Sequence, residues 1–314
     1  MPRHFDSNAR ASRRLKYFNW LYNPFQRLQV TDIYDLLGTD VATEQALYLN
    51  LGYWNGRELL DNQSLDDACQ SLAALVADSA AMGPGDRVLD VGFGFADQDL
   101  FWLSAYRPDA IIGLNVTASQ VEVARRRVQA AGLAERIDLR LGSATAMPLE
   151  AASVDTVVAL ECAFHFDTRE GFFQEARRVL RPGGRLVMAD IIPLPVESGW
   201  WARLVQRWSW RQVARQFAIP ASNAYPLAEY AAKLSASGFE AVRVESIRAR
   251  IYAPLHQYLR RHPEAVARLH PATRPLIALA LKLDARTVYR GLDYVLAVAD
   301  QPVDEPNPPM QNAV

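Results

Sequence analysis

Short apolar runs alternate with helical patterns between Asp86 and Ile192, and this alternation limits the folds that the chain can adopt. The runs RVLDV, AIIGLNV, IDLRLG, VDTVVAL and GRLVMADII are typical of buried strands. Short strands separated by helices pair in parallel, so the sequence predicts a doubly wound α/β fold. Residues 239–252, FEAVRVESIRARIY, predict two further strands, and residues 254–300 predict a helical region.

Changes in composition predict six regions in the order given at the end of this paragraph. The second region contains a helix for which Ser64 is the expected N-cap, because Asp67 follows three residues later. The regions are a basic tail (1–16), an aromatic-rich helical cap (17–82), the core (83–194), a lid over the acceptor site (195–235), strands and helices that complete the core (236–300), and a Pro-rich disordered tail (301–314).

Bulk composition excludes several classes of protein. The 314 residues carry a net charge of −1, so no basic field favours nucleic acid as a partner. No apolar run reaches the ~18 residues of a membrane span, and the start of the chain lacks the apolar core of a signal peptide. Cys69 and Cys162 have no metal-ligand spacing. We therefore expect no metal, no disulfide and a cytoplasmic location.

A glycine turn follows the first strand. Asp90 ends that strand, and Gly92 and Gly94 allow the backbone to approach a ligand closely. A dinucleotide fingerprint requires Gly or Ala three positions after Gly94, where Asp97 stands, and a carboxylate there repels a pyrophosphate. No Gly-Lys pair of a P-loop follows either. The turn therefore favours a ligand without phosphates that tolerates acidic neighbours.

This turn resembles the first motif of the class I S-adenosylmethionine (SAM)-dependent methyltransferases, Asp-x-Gly-x-Gly-x-Gly, with Ala96 at the last position. The resemblance covers most of residues 85–192 and is greatest to a subgroup with tocopherol, sarcosine and sugar O-methyltransferases and cyclopropane synthases. It implies SAM, a cationic cofactor without phosphates. It also implies a Rossmann-like, mostly parallel seven-stranded sheet with an N-terminal helical cap and a helical lid.

Two further motifs of this family imply cofactor contacts. In GLNVTASQ, Asn115 and Gln120 match the neutral pair that the subgroup uses for the ribose hydroxyls. An alternative for Gln120 is a capping box with Thr117. GSATAMPL resembles the adenine-binding Gly-Asp-Ala motif, with Ser143 in place of the acid and Ala144 after it. A serine accepts a hydrogen bond from the adenine amine more weakly than a carboxylate does.

Aromatic and acidic residues are implied at the methionine end of the cofactor. LYLNLGYW resembles the segment that these enzymes fold over it, so Tyr53 and Trp54 are expected to contact the sulfonium through cation–π interactions. Packing in the core of the cap is the alternative. In ECAFHFD, Glu161 is expected to contact the cofactor or the acceptor, or to cap the following turn, and Cys162 to serve packing.

The same stretch supplies the predicted base. His165 titrates near neutral pH and is expected to take the proton of a hydroxyl acceptor. Asp190 ends the next strand and is expected to orient the imidazole. The favoured function is methyl transfer to a hydroxyl of a hydrophobic natural-product or lipid-like molecule. The alternatives are N- or C-methylation with His165 only shaping the pocket, a cyclopropane synthase, and a SAM-binding module without catalysis.

The predicted lid combines basic and aromatic residues. Arginines recur every fourth residue on one helical face, and apolar residues occupy another. Either the tryptophans line an acceptor pocket while an arginine binds an anionic group, or the helix lies on a membrane surface, or the arginines are simply solvated. A homodimer is one further expectation. The two sets are Arg203, Arg207, Arg211 and Arg215, and Trp201, Leu204, Val205 and Trp208; Tyr225, Tyr252, His256 and Tyr258 are expected in the same cavity.

Overall fold

A single sheet of seven strands organises the computed structural model, which describes residues 16–20, 28–55, 63–271 and 273–303. The strand order is β3-β2-β1-β4-β5-β7-β6, with β1 to β5 parallel and β7 antiparallel to both of its neighbours. The predicted doubly wound, mostly parallel sheet is confirmed. The strands are Arg87–Val91 (β1), Ala110–Asn115 (β2), Ile137–Leu141 (β3), Val154–Leu160 (β4), Leu180–Pro193 (β5), Glu240–Ser246 (β6) and Leu292–Asp300 (β7).

Helices cover both faces of the sheet. Ser64 caps α2 as predicted: its hydroxyl accepts from the Asp67 amide at 3.0 Å, and the Asp67 carboxylate accepts from the Ser64 amide at 3.1 Å. The helices are Val30–Leu37 (α1), Leu65–Ala80 (α2), Asp97–Ala105 (α3), Ala118–Ala130 (α4), Arg169–Val179 (α5), Trp200–Gln216 (α6), Leu227–Ala236 (α7), Tyr252–Arg261 (α8), Pro263–Arg268 (α9), Arg274–Ala280 (α10) and Ala285–Val288 (α11).

The hydrophobic core has a layer on each side of the sheet. Val88 belongs to the layer that contains Leu72 of α2, whereas Leu89 belongs to the layer with Phe172 and Phe173 of α5. Successive strand residues point to opposite faces, so a strand covered on both faces has an unbroken apolar run. This double burial explains why RVLDV and VDTVVAL were recognisable from the sequence as β1 and β4.

The C-terminal region differs from the prediction. Of the two strands expected in residues 239–252, only β6 forms, and a 3₁₀ turn at Arg248–Arg250 then leads into α8. The seventh strand is β7, inside the region that was expected to be helical. Because β7 lies between β5 and β6 and is buried throughout most of its length, LDYVLAVAD has no two-residue alternation by which to recognise a strand.

The ends of the chain test the predicted tails only in part. The basic tail lies outside the described residues except for Lys16, and most of the C-terminal tail does as well. Gln301, the first residue of the predicted C-terminal tail, is hydrogen-bonded to β5. Its amide donates to the Gly184 carbonyl at 2.8 Å, and its carbonyl accepts from the Gly183 amide at 3.1 Å. Within the described residues, no helix is both long and apolar enough to cross a membrane.

Candidate active site

A cavity of about 620 Å³ lies at the carboxyl ends of β1, β2 and β4. In a doubly wound sheet this is where the strand order reverses and where ligands bind. Its other walls come from α1, residues 47–51, the end of α6 and the C-terminal helices α8, α10 and α11. The structure brings most of the predicted site residues to this cavity: Gly92, Gly94, Asn115, Gln120, Ser143, Ala144, Glu161 and His165.

The glycine turn forms one wall because of its backbone geometry. Gly92, Gly94 and Ala96 have φ of +80°, +56° and +66°, a region that favours glycine. A Cβ on Gly92 would lie 2.6 Å from the Cβ of Cys162, whose thiol donates to the Val91 carbonyl. The turn therefore packs directly on the loop after β4, and Cys162 serves packing as predicted.

Asp90 lies beneath this turn and is not part of the cavity wall. Its carboxylate accepts from the Nε2 of Gln98, which does line the cavity, at 3.0 Å. Burial raises the pKa of Asp90 to about 7, and burial together with Asp90 raises the pKa of Asp99 well above its usual value. Two adjacent buried carboxylates are not both ionised at low cost, so this pair retains a proton near neutral pH. Asp97 is bound in a bidentate ion pair by Arg127.

Asn115 and Gln120 form a polar pair at the end of β2. The Asn115 amide donates from Nδ2 to Oε1 of Gln120 at 2.9 Å, and its Oδ1 accepts from the Thr117 amide at 3.0 Å. The capping box with Thr117 is wrong, because the Thr117 side chain makes no capping bond. Nε2 of Gln120 is buried without a partner among the described residues. The pair thus presents an unsatisfied donor at the cavity.

Ser143 closes a small turn beside this pair. Its hydroxyl accepts from the Thr145 amide at 3.2 Å and lies 3.0 Å from the Thr145 hydroxyl, and Ala144 is buried next to it. Both residues line the cavity. The side-chain oxygen of Ser143 stands where the family motif has a carboxylate, and a neutral hydroxyl supplies a weaker acceptor there.

Glu161 connects the N-terminal cap to the core. It has a φ of +51°, and its Oε1 accepts from the Leu51 amide at 2.7 Å and from the Tyr294 hydroxyl at 2.6 Å. Burial raises the pKa of Glu161 to about 7. Because Glu161 lines the cavity, its carboxyl changes charge near neutral pH at a point where a cationic ligand would favour the ionised form.

Tyr53 and Trp54 are not at the cavity wall, contrary to the expected cation–π contact. Trp54 is fully buried, and its ring packs 5.0 Å from that of Tyr258. Tyr53 packs against the main core. The chain turns so that Leu49 and Leu51, from the same segment, face the cavity instead. Complete burial stabilises the Trp54 ring, and Tyr53 is half-buried against the core, so the packing alternative describes both residues.

His165 faces the cavity from the 3₁₀ turn after β4 and pairs with a residue of the N-terminal cap. Its Nε2 lies 3.0 Å from the Tyr34 hydroxyl, with Phe164 packed on its ring. Nδ1 is buried without a hydrogen-bond partner in the part of the chain that the structure describes. Burial lowers the pKa of His165 to about 3, so the imidazole is neutral at physiological pH. The sequence offered no signal for Tyr34 beyond its place among many aromatic residues.

Asp190 does not orient His165, which corrects the expected pairing. Its carboxylate accepts from Nε of Arg169 at 2.8 Å and from the Tyr230 hydroxyl at 3.0 Å, and all three side chains are buried. Asp190 is one strand away from the turn that carries His165, and its carboxylate is paired with Arg169 and Tyr230 instead. The ion pair is therefore structural in this geometry.

The Arg169 guanidinium nevertheless connects Asp190 to the turn that carries His165. The Arg169 amide donates to Oδ1 of Asn223 at 3.1 Å, and the guanidinium donates to the Asn223 carbonyl. Asn223 in turn donates from Nδ2 to the carbonyls of Phe164 and Phe166, at 3.1 and 2.7 Å. Neither Arg169 nor Asn223 belongs to a motif that the sequence predicts for the site. The one available signal was an arginine in the first turn of a helix, where the helix dipole disfavours a cation.

The lid region contributes to the cavity through the C-terminal end of α6 and the residues that follow it. Val213 and Phe217 line the cavity, whereas Trp201 and Trp208 are both 64% exposed. The expectation that the tryptophans line the acceptor pocket is therefore wrong. Gln206 fixes the orientation of α6, because it is buried and donates to the carbonyls of Leu194 and Pro195, so the opposite face turns outward.

The C-terminal helices form one wall of the cavity, and only some of the residues predicted from the sequence lie in it. Tyr252 and His256 line the cavity as expected. Tyr258 packs on Trp54 instead, and Tyr225 lies against the Arg169 guanidinium, 5.0 Å from its ring centre. Leucine and isoleucine side chains of α8 and α10 make this wall apolar.

The residues at the cavity fit SAM. Gly92 and Gly94 line the cavity, so a ligand there lies against the turn, and the unsatisfied Nε2 of Gln120 can donate to a ribose hydroxyl. Glu161 supplies a carboxyl group that a cation would ionise. Among the described residues no group of His, Cys, Asp and Glu has the arrangement of a metal site.

Comparison with known proteins agrees with this fit. A family model described as "Methyltransferase domain" matches residues 89–188. Erythromycin 3''-O-methyltransferase of Saccharopolyspora erythraea is 37% identical over 226 residues, which are 72% of each chain. The 27-O-demethylrifamycin SV methyltransferase of Amycolatopsis mediterranei is 32% identical over 151 residues, 48% of this chain and 54% of that protein.

Solved structures share the fold. The [4+2]-cyclase SpnF has a TM-score of 0.63 at 21% identity and covers 93% of this chain and 96% of its own. A geranyl diphosphate methyltransferase in complex with SAM also has a TM-score of 0.63, at 18% identity, and covers 81% and 98%. The match along most of a methyltransferase and the fit of the cavity to its cofactor lead to one conclusion: this chain is an enzyme of the SAM-dependent methyltransferase family.

Proposed function

We propose that the enzyme transfers the methyl group of SAM to a hydroxyl group of a hydrophobic small molecule. The observation that carries this proposal is the position of a neutral imidazole, His165, on the wall of a mostly apolar cavity at the strand ends. A hydroxyl acceptor must lose a proton during the transfer, and a neutral imidazole can take it.

The chain contributes binding, exclusion of water and a proton acceptor. By resemblance, Ser143 and Ala144 hold the adenine, Asn115 and Gln120 hold the ribose, and the glycine turn lies beside the methionine end. SAM supplies an electrophilic methyl group on a cationic sulfur. Closing the apolar walls around the acceptor removes water that would solvate its hydroxyl and compete with it.

His165 accepts the hydroxyl proton at Nδ1. This requires Nε2 to carry the ring proton and to donate it to the Tyr34 oxygen, 3.0 Å away. Burial raises the pKa of Tyr34, so the phenol keeps its own proton and stays neutral. Low basicity limits the imidazole to partial proton transfer while the new O–C bond forms. The Arg169–Asn223 contacts hold the turn that positions the ring.

The nature of the acceptor is inferred from relatives. Two of them are named for O-methylation, of erythromycin and of 27-O-demethylrifamycin SV. An acceptor of this general kind, a natural product with an exposed hydroxyl, suits the apolar wall formed by α8 and α10.

The proposal is tested by incubating the purified enzyme with SAM carrying a deuterated methyl group and a panel of O-demethylated hydrophobic natural products. We expect one labelled methyl group per product, placed on oxygen by NMR. A label on nitrogen or carbon would assign the enzyme to N- or C-methylation instead. The His165→Ala variant serves as the control for proton removal.

We also propose that the outward face of α6 contacts an anionic membrane surface. Trp201, Leu204 and Trp208 recur at intervals of three and four residues, so they form one exposed apolar row. Arg203 and Arg207 form an exposed basic row beside it. Apolar and basic rows on one helix suit the boundary between acyl chains and anionic headgroups.

Cytoplasmic location and a homodimer stay predictions from the sequence.

A further inference from the structure

The C-terminal wall of the cavity is mostly apolar, and its polar groups are the imidazole of His256 and the hydroxyls of Tyr252 and Tyr289. Leu255, Leu259, Ile277, Leu281 and Val288 line it, from α8, α10 and α11 and the turn between them. His256, on α8, lies among them and is 4% exposed. A small number of polar groups in a mostly apolar pocket is the usual means of orienting a small-molecule ligand.

The hydrogen bonds of His256 fix which of its nitrogens carries the proton. Nε2 lies 3.0 Å from the Leu283 carbonyl oxygen. A carbonyl oxygen can only accept, so Nε2 is the donor and carries the hydrogen. In the neutral ring Nδ1 is then an acceptor with a free lone pair. Burial lowers the pKa of His256, which favours this neutral form.

This acceptor atom is unsatisfied. Within residues 16–20, 28–55, 63–271 and 273–303, Nδ1 of His256 is buried and has no hydrogen-bond partner. Buried polar atoms in proteins are nearly always paired with protein, water or ligand groups, and because His256 lines the cavity a ligand group there is a candidate partner for Nδ1. His165 has no such fixed proton, because its partner, the Tyr34 hydroxyl, can donate or accept.

We propose that the C-terminal wall is the acceptor-binding subsite and that Nδ1 of His256 accepts a hydrogen bond from a second hydroxyl or N–H group of the methyl acceptor. This inference rests on the proposed function, and it defines the acceptor further. The acceptor has an apolar body and at least two donors, the hydroxyl that is methylated and the group that binds His256. The two histidines lie on different walls: His165 contacts Tyr34, whereas His256 contacts Leu283.

A matched pair of probes tests this without any methyl transfer. 1-Naphthol and 1-methoxynaphthalene have the same apolar body, but only the first has a donor. Binding of each is measured by calorimetry to the full chain saturated with S-adenosylhomocysteine. We expect 1-naphthol to bind about tenfold more tightly, the effect of one buried hydrogen bond. Equal affinities for the wild-type enzyme would overturn the proposal.

Two variants separate the nitrogens of His256. His256→Gln places a donor near the Leu283 carbonyl but removes the Nδ1 acceptor, so we expect it to abolish the preference for 1-naphthol. His256→Asn keeps an acceptor near the Nδ1 position, so we expect it to retain most of the preference. Survival of the preference in His256→Gln contradicts the proposed contact.

A measurement on the wild-type enzyme covers the case in which a variant fails to fold. The ¹⁵N chemical shift of Nδ1 of His256 should change when 1-naphthol is added and should stay constant with 1-methoxynaphthalene. The same shift for both probes, or for neither, is inconsistent with a hydrogen bond at this atom. Because neither readout needs turnover, an enzyme that methylates nitrogen or carbon could still satisfy this test, which keeps the two proposals separable.

Discussion

Nε2 of His165 lies 3.0 Å from the hydroxyl oxygen of Tyr34, a residue 131 positions earlier in the chain. The pair joins the N-terminal cap to the loop after β4 across the cavity wall. In Tyr34→Phe the ring of His165 loses the hydroxyl that lies next to Nε2, so this contact no longer holds the ring proton on Nε2. We expect kcat to fall about tenfold, with the affinity for S-adenosylhomocysteine unchanged.

Removal of the imidazole has a larger expected effect. His165→Ala should lower kcat roughly 100- to 10,000-fold, the range for general acid–base catalysis, and should leave cofactor binding intact. Because the pKa of His165 is about 3, the wild-type rate should show no decline from its titration between pH 8 and pH 5. A loss below tenfold in His165→Ala would assign the ring a role in shaping the pocket only.

The carboxyl of Glu161 should make stability depend on pH. Its pKa rises from 4.5 to about 7 on folding, so its stabilising contribution is complete below pH 4.5 and is lost as the pH rises through 7. Glu161→Gln keeps an acceptor for Leu51 and Tyr294 but cannot ionise. In urea unfolding without cofactor, we expect this variant to be more stable than the wild type at pH 8 and similar to it at pH 5.

Comparing the wild type with Glu161→Gln isolates the pH dependence that is due to Glu161, because Asp90 and Asp99 are present in both proteins. Glu122→Gln is the matched control, since the Glu122 side chain is 71% exposed and its substitution should change stability little. Equal stability differences at pH 5 and pH 8 for Glu161→Gln would show that its pKa is not raised.

Gln120 should contribute to cofactor affinity through its unsatisfied Nε2. Gln120→Ala removes this donor and leaves Nδ2 of Asn115 without its acceptor, so we expect the dissociation constant of S-adenosylhomocysteine to rise about tenfold. Gln129→Ala, at an exposed position of the same helix, is the control. Calorimetry that finds no difference between the two variants would argue against a cofactor contact at Gln120.

The buried pair of Arg169 and Asp190 should matter for folding. Removing one member leaves the other charge buried alone, so Arg169→Met and Asp190→Asn should each lower the free energy of unfolding by about 3–5 kcal/mol. Arg140→Met, which breaks an exposed pair with Asp138, should cost about 0–1 kcal/mol. Denaturant titration distinguishes these outcomes. An Asp190→Asn enzyme that is as stable as the wild type but inactive would contradict the structural role and would indicate a catalytic role for Asp190.

The outward face of α6 should bind anionic bilayers. Trp201→Ser combined with Trp208→Ser removes exposed rings, so the unfolding temperature should stay constant while sedimentation with phosphatidylglycerol vesicles is lost. Vesicles of phosphatidylcholine alone test the contribution of the arginines. If the wild-type enzyme stays in the supernatant with both kinds of vesicle, the exposed tryptophans serve another partner.

Local patterns in the sequence determined the scaffold and the cofactor end of the site. β1 and β4 form at the predicted residues, Ser64 caps its helix, and Gly92 and Gly94 have positive φ. These features depend on residues that are close in the sequence, through periodicity, helix capping and turn chemistry. They can therefore be predicted from the amino-acid sequence alone.

Tertiary packing decided the remainder. The partner of His165, the burial of Trp54, the outward direction of Trp201 and Trp208, and the ion pair that holds Asp190 all depend on residues distant in sequence. The type of a side chain does not by itself decide whether it lies in the core, at the cavity wall or on the surface. Which of these it enters is fixed only when the elements pack together and the competing partners are brought within contact distance.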